Sequence, residues 1–137
     1  MSKQECLALL GRAPIGRVAL SIAAMPAVRS VKFVVADANV VLRLAPDSRL
    51  SRAAAGSVIA FHVDHYDHEA REGWSVVVQG VGEHVRDQRL LAALQQLPLD
   101  PWSDPPSEDR FVRIPLTEIN GEHVRWPPAA PTGPSTS

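Results

Sequence analysis

The sequence predicts a mainly β protein with a few small helices, folded as a closed or nearly closed antiparallel barrel. About six or seven short runs of β-branched and aliphatic residues are separated by turn signals. Helical spacing of apolar residues is confined to a few short stretches. With 137 residues, 45% of them hydrophobic, the chain is long enough to bury one sizeable core. We therefore expect one domain over residues 1–126, followed by a disordered tail rich in Pro, Ser and Thr over residues 127–137.

Charge and cysteine content exclude several classes of protein. The formal net charge is −1 and no run of basic residues occurs, so general binding of nucleic acid is not expected. The single cysteine, Cys6, excludes an intramolecular disulfide and is typical of a reducing compartment. The N-terminus lacks the apolar segment of a signal peptide, and no run approaches the roughly 18 apolar residues that span a membrane. We expect a cytoplasmic protein that does not associate with membranes.

The first part of the chain predicts one helix and two strands. The helix is predicted over Ser2–Gly11, with its serine as the cap and its glycine as the end. The strands are predicted over Gly16–Ile22 and Ala27–Ala36, and a turn over Ala23–Pro26 separates them. Asp37–Asn39 is predicted to form a hairpin turn into a third strand.

The stretch from Asn39 to Asp64 predicts a strand, a polar turn, a short helix and another strand. Asp47 or Ser48 can cap the helix, and Gly56 can end it. The strand that follows is predicted over residues 57–63, where apolar residues alternate. The rest of the chain is expected to be organised around this stretch.

The next part predicts a polar loop, a long strand and a further helix. His65–Gly73 is polar and loop-like. Trp74–Val85 is predicted to be a strand in which Gly80 and Gly82 form bulges or points of close approach. Leucines at helical spacing predict a helix over Arg86–Leu97.

The end of the domain predicts an irregular segment and a hairpin. Pro98–Asp109 is rich in Pro and Asp, which favours an irregular loop. Strands over Arg110–Ile119 and His123–Trp126 flank Asn120 and Gly121, a pair that strongly favours a type I′ turn. We therefore expect the folded part of the chain to end on this hairpin.

Polar residues cluster around the predicted helix start that follows the third strand. Arg43, Ser48, Arg49 and Arg52 gather there. Free amide groups and the positive end of the helix dipole meet guanidinium groups at this point, which suits a phosphate. An ordinary loop with solvated arginines is the alternative, and the residues alone leave both open.

Histidines and aspartates are dense where the fourth predicted strand ends. His62, Asp64, His65, Asp67 and His68 are all of a type that binds Zn²⁺ or Fe²⁺. Their spacing argues against a common site, because successive side chains of a strand point to opposite faces. We predict no metal site and expect solvated histidines at the end of a strand.

Four segments, taken in order, resemble the pyridoxamine 5′-phosphate oxidase-like FMN-binding split-barrel family, in its nitroimidazole-reductase-like branch. These are the GR-x-A sequence of Gly16–Ala19, VLRLAPDSRL at residues 41–50, AFHVD at Ala60–Asp64 and GWSVVVQG at Gly73–Gly80. Each segment is weakly specific alone, but their order and spacing together are fairly specific. The match covers roughly Glu5 to Trp126.

The resemblance implies a split β-barrel homodimer with a flavin at the subunit interface. The implied function is that of an oxidoreductase in which hydride or electron transfer takes place at the flavin, with a small molecule as substrate. FMN is the implied cofactor, and the deazaflavin F420 is the alternative. A non-enzymatic protein that binds a flavin or haem is the competing class. No residue stands out as an acid, base or nucleophile, so the catalytic residues stay unknown.

The resemblance also implies three groups of cofactor-binding residues. Arg43, Ser48 and Arg49 would bind the phosphate. Ser30, Val31 and Lys32 would lie beside the isoalloxazine ring. Trp74 and Ser75 would approach the same cofactor from the partner chain.

The chain departs from the family pattern near the implied phosphate site. The family often has Arg-Thr where this chain has Arg43 and Leu44, and it often has Gly-Ser/Thr-Lys where this chain has Asp47, Ser48 and Arg49. An arginine can replace the lysine and bind a phosphate bidentately. A carboxylate repels a phosphate unless it points away to cap the helix.

Overall fold

The computed structural model describes residues 1–13, 15–44, 48–96 and 110–125. The predictions for Asp47, for the segment 98–109 and for the tail 127–137 lie outside these residues. Within them the chain forms three helices and eight strands, in the order α1 (Lys3–Leu10), β1 (Gly16–Ile22), β2 (Met25–Ala36), β3 (Asn39–Leu44), α2 (Arg49–Ala54), β4 (Val58–Asp67), β5 (Glu72–Val81), β6 (Glu83–His84), α3 (Gln88–Gln95), β7 (Arg110–Pro115) and β8 (Glu118–Arg125).

The eight strands form one antiparallel sheet with the order β6-β7-β3-β2-β1-β4-β5-β8. The sheet curls until the end of β5 reaches β7. Two glycines allow this approach, because a Cβ on Gly80 would lie 3.2 Å from Ile114 Cγ2 and one on Gly82 would lie 3.1 Å from Val112 Cγ1. The predicted close approach at these glycines is confirmed, and the fold is the antiparallel split barrel that the sequence predicts.

Alternate residues of the strands fill the barrel interior. Phe33 and Phe61 meet edge to face, with ring centroids 4.8 Å apart. Gly16 lies directly against the Phe61 ring, where any side chain would overlap with it. Three helical residues, Cys6 and Leu10 of α1 and Ala54 of α2, are also buried in this core. The strand residues around them include Val18, Leu42, Ile59, Val63, Val76, Val78 and Ile114.

A second, smaller apolar cluster lies outside the barrel, under α3. It consists of Val41, Val85, Leu94 and Phe111. Val41 faces this cluster while its neighbour Val40 on β3 faces the main core, as the alternation of a strand requires. The helix α3 therefore covers the outer face around β3 and β7. The other two helices, α1 and α2, contribute buried residues to the main core inside the barrel. In the described part of the chain, neither of them covers the outer face of β1, β4 and β5.

All three helices begin at capping residues, and the sequence predicts two of these caps, Ser2 and Ser48. Ser2 and Glu5 form a reciprocal capping box, in which each side chain accepts from the other residue's amide at 3.1 and 3.2 Å. These bonds, above all the one from the Ser2 amide, hold the pKa of Glu5 below its usual value of 4.5. Ser48 caps α2, and Asp87 caps α3 through its carboxylate. Such caps satisfy amides that a helix leaves unpaired.

The prediction of a loop over His65–Gly73 is wrong. β4 continues to Asp67 and β5 begins at Glu72, so only residues 68–71 turn. His65 pairs with Trp74 in this extension. This part of the hairpin extends beyond the core, so its strands are held by backbone hydrogen bonds and need no alternation of apolar residues. The polar sequence therefore resembled that of a loop.

The predicted turn at Asn120 and Gly121 is also wrong. The turn lies at residues 116–117, and both residues sit within β8, where they pair with Val77 and Val76. A Cβ on Gly121 would lie 2.7 Å from Cys6 Sγ, so this glycine provides room for α1. The glycine is therefore required by a tertiary contact with α1 and not by a turn.

Two smaller boundaries also differ from the predictions. The first hairpin turns at Ala23 and Ala24 alone, which adopt positive φ angles of 51° and 65°, and β2 already begins at Met25. The strand predicted over Trp74–Val85 is divided, because β5 ends at Val81 and β6 begins at Glu83. No helix among the described residues is long and apolar enough to cross a membrane.

Candidate functional site

A row of polar side chains crosses the outer face of the barrel on five strands. Arg43 of β3 pairs with Lys32 of β2, and Arg17 of β1 pairs with both Ser30 of β2 and His62 of β4. Residues directly opposite each other in an antiparallel pair share a face, as do residues two apart on one strand. We define the polar row as Arg43, Lys32, Ser30, Arg17, His62, Asp64 and Ser75, the last two of which pair across β4 and β5.

The two ends of the polar row differ in charge. Arg43, Lys32 and Arg17 make the β3–β2–β1 end cationic. The β4–β5 end carries the Asp64 carboxylate, whose Oδ1 lies 3.5 Å from Arg17 Nη1, and both side chains are about half exposed. An exposed ion pair of this kind contributes little stability. Its main effect is to hold the Asp64 carboxylate in the middle of the face.

His62 is the functional candidate that the sequence analysis set aside. Its Nε2 lies 2.9 Å from Ser75 Oγ and 3.9 Å from Asp64 Oδ2. The ring is half-buried, and it links β4 to β5 on the polar row. Arg17, its neighbour on β1, was equally overlooked. The available signal was the alternation of both strands, which places the two residues on the polar face.

The structure divides the residues predicted to lie beside the isoalloxazine ring between two faces. Ser30 and Lys32 belong to the polar row, whereas Val31 between them is only 3% exposed and packs in the core. On β5, Ser75 lies on the polar row and Trp74 packs against the core. Adjacent strand residues point in opposite directions. The described fold therefore does not bring Trp74 and Ser75 of one chain together.

Trp74 lines a different part of the surface, a wide groove of about 720 Å³ at the end of the barrel. The centroid of the Trp74 ring is 6.4 Å from that of the His65 ring. Trp74 also pairs with His123 of the neighbouring strand β8. Arg12 and Arg125 also line this groove. The exposed His65 thus lies away from the polar row that contains His62.

The predicted phosphate-binding residues lie on β3 and at the start of α2. Ser48 Oγ accepts a hydrogen bond of 3.0 Å from the Ser51 amide, and Arg49 is exposed at the first position of the helix. The cap satisfies one amide that an anion would otherwise use, but the hydroxyl hydrogen of Ser48 can still be donated. α2 has only six residues. Any phosphate here would depend on side chains more than on the helix dipole.

The donors of the polar row suit a flavin nucleotide chemically. Serine hydroxyls and a lysine ammonium can donate to the carbonyl oxygens and nitrogens of a flavin ring, and guanidinium groups suit phosphates. The face is open: the pocket beside Ser75 has a volume of about 150 Å³ and is lined by Val77, Asn120 and Glu122, among others. Sites for ligands of this size usually enclose roughly 300–1,000 Å³. A ligand on this face would need a second wall.

The histidine-rich end of β4 does not form a metal centre in the described residues. Within them, no three His, Cys, Asp or Glu side chains converge as metal ligands would. His68 lies in the β4–β5 turn, where its ring packs edge to face on Tyr66 at 5.1 Å. His62, as shown above, contacts Ser75 instead.

Comparison with known proteins matches most of the chain to one family model. Residues 2–123 match the family model described as pyridoxamine 5′-phosphate oxidase. The structure is similar to that of the FAD binding protein from Mycobacterium smegmatis, with a TM-score of 0.80 and 32% identity over 92% of this chain and 98% of that chain. A conserved protein of unknown function from Corynebacterium diphtheriae is 28% identical over 91% of this chain and 95% of that chain, with a TM-score of 0.71. An uncharacterized protein of Mycobacterium tuberculosis, Rv0080, is 37% identical over 74% of this chain and 70% of its own length.

Proposed function

This chain belongs to the pyridoxamine 5′-phosphate oxidase family, and from this membership we infer that it is a flavin-binding oxidoreductase whose cofactor lies on the polar row. The observation that supports this site is the alignment of hydroxyl and cationic side chains across five strands. Among the described residues, neither α1 nor α2 covers the part of this outer face that β1, β4 and β5 form. The assignment to the nitroimidazole-reductase-like branch stays a prediction.

Each part of the polar row has a role in this proposal. When bound, the flavin supplies the hydride or electron chemistry. Ser30 and Ser75 would orient the ring by hydrogen bonds, and the Lys32 ammonium would favour negative charge on it. Arg43 and Arg49 would bind the phosphate, with Ser48 as an additional donor. Val31, buried in the core, would contribute only its backbone.

A second copy of the chain would supply the missing wall, which makes the proposed protein a homodimer. Exposed valines flank the polar row on the same face: Val28 is 60% exposed and Val58 is 72% exposed. Val58 pairs with Val81, which is 46% exposed. Apolar residues of this kind around a polar centre are typical of interfaces. Trp74 could then reach the cofactor only as a residue of the partner chain.

The flavin form is a separate question within the proposal. The similarity to the FAD binding protein from Mycobacterium smegmatis favours FAD over FMN. FMN was expected from the resemblance alone, and F420 stays the alternative because the same cations would suit its phosphate-containing tail. A protein that binds a flavin or haem without catalysis is the second candidate function, and it is favoured by the similarity to a Mycobacterium smegmatis protein that is described by its binding of FAD and not by a reaction.

Titration and mass measurement test the proposal together. The purified protein is titrated with FAD, FMN, F420 and haem, while native mass spectrometry records the oligomer and any retained cofactor. We expect micromolar or tighter binding of one flavin per chain by a dimer. Binding with no turnover of reduced nicotinamide or of artificial electron acceptors would favour the non-enzymatic candidate. A monomer that binds none of the four compounds would contradict the proposal.

A further inference from the structure

His62 and Ser75 form a polar contact whose direction of donation matters for any ligand on the face. Nε2 of His62 lies 2.9 Å from Ser75 Oγ. A serine hydroxyl has a single hydrogen and two lone pairs. If the ring donates to Oγ, the hydroxyl hydrogen of Ser75 is available for another partner. If the ring accepts, that hydrogen is used and Ser75 presents only lone pairs.

The surrounding charges favour donation by the ring. Asp64 Oδ2 lies 3.9 Å from the same Nε2 atom, and a carboxylate attracts a hydrogen on that nitrogen. Arg17 lies 3.5 Å from the other oxygen of Asp64 and holds the carboxylate in this position. The Asp64 carboxylate and the Ser75 hydroxyl both lie near the same ring nitrogen, Nε2 of His62. The arrangement therefore differs from a catalytic triad, in which the carboxylate and the hydroxyl contact different ring nitrogens. Glu122, opposite Ser75 on β8, adds negative charge on the same face.

We propose that His62 is a positioning residue: by donating to Ser75 Oγ, it makes the Ser75 hydroxyl a hydrogen-bond donor toward an acceptor atom of the bound flavin. This inference rests on the proposed function and assigns to His62 a role that it exercises through Ser75. A donor at a flavin oxygen or nitrogen stabilises the reduced ring more than the oxidised ring, since reduction adds negative charge. Ser75 therefore raises the reduction potential of the flavin, and His62 keeps it able to do so.

The test compares the reduction potential of bound FAD in the wild type, in four single variants and in the double variant Ser75→Ala/His62→Phe. Ser75→Ala removes the donor, His62→Phe keeps a ring without hydrogen bonds, and His62→Gln retains an amide that can donate. His68→Gln is the matched control, since His68 is an exposed histidine in the β4–β5 turn. Equilibrium reduction against reference dyes gives the potential, and thermal unfolding checks that each variant is folded.

We expect Ser75→Ala and His62→Phe each to reduce the preference for reduced over oxidised flavin about tenfold, which is about 30 mV for a two-electron couple. The double variant should show no further loss, because both residues act through one hydrogen bond. His62→Gln should restore most of the potential, and His68→Gln should leave it unchanged. Folded, flavin-bound His62→Phe with the wild-type potential, or additive losses in the double variant, would overturn the inference.

A measurement on the cofactor-free protein separates this inference from the proposed function. Long-range ¹H–¹⁵N NMR spectra report which ring nitrogen of His62 is protonated, and we expect the hydrogen on Nε2. A hydrogen on Nδ1 alone overturns the role of His62 even if FAD binds. A wild-type protein that binds no flavin contradicts the proposed function instead, and with it the step from Ser75 to the flavin, whatever the tautomer of His62.

Discussion

Replacement of Arg43 by alanine should weaken flavin binding by about tenfold or more. Arg43 lies half-buried at the cationic end of the polar row, opposite Lys32. A charge-assisted hydrogen bond to a phosphate contributes about 1.5–3 kcal/mol, which corresponds to about 10- to 150-fold in Kd. The effect should be largest at low salt, since ions screen partly exposed charges over about 8–10 Å. Fluorescence titration with FAD and FMN at two salt concentrations measures it.

Two further variants make this measurement specific. Arg43→Lys keeps the positive charge but loses the planar fork, so we expect an intermediate Kd. Arg89→Ala removes an exposed arginine on α3 and should leave the Kd unchanged. Because Arg43 also lies opposite Phe111 on β7, the free energy of unfolding of each variant must be measured in urea. A wild-type Kd in folded Arg43→Ala would refute the assignment of this residue to the phosphate.

Three further predictions concern packing and stability. Phe61→Ala removes a ring that is fully buried against Phe33 and should cost about 3–5 kcal/mol of unfolding free energy in urea; a cost below about 1 kcal/mol would contradict the packing described here. Gly121→Val should displace α1, because even a Cβ would lie 2.7 Å from Cys6 Sγ, and the thiol should then react with a maleimide or disulfide reagent; a thiol that stays protected would contradict this contact. The pKa of Glu5 is lower in the folded chain than its usual 4.5, so the ionised carboxylate stabilises the protein above pH 4.5, and this stabilisation is lost as the pH falls through the lowered pKa. Glu5→Gln should remove this part of the acid dependence of the unfolding free energy. Identical pH profiles of the variant and the wild type would count against it.

The strands and helix starts could be predicted because their signals are local. Alternation of apolar residues placed β1 at Gly16–Ile22, as observed. Capping residues placed the starts of α1 and α2, because the side chain of an N-cap bonds to amides only two or three residues away. The family could likewise be inferred from short motifs in a fixed order, and the match over residues 2–123 confirms it.

Two predictions, the turn at Asn120 and Gly121 and the loop at His65–Gly73, are wrong because contact with another strand or helix overrides the local sequence pattern. Asn120 and Gly121 have the sequence of a hairpin turn, yet Gly121 is needed where β8 passes under α1. The polar segment at the end of β4 has no apolar alternation, yet pairing with β5 makes it strand. Trp74 and Ser75 are adjacent in sequence, but the pleat of β5 sends them to different sides.

The sequence by itself determined the family, the mainly β class and most of the elements, since each depends on residues close together in the chain. Only the tertiary structure decided which polar side chains meet. Arg17 and His62 are far apart in sequence and become direct neighbours through the register between β1 and β4. That register depends on the packing of Val18 and Phe61 inside the barrel, because a shift of one residue would turn every side chain of the strand to the opposite face.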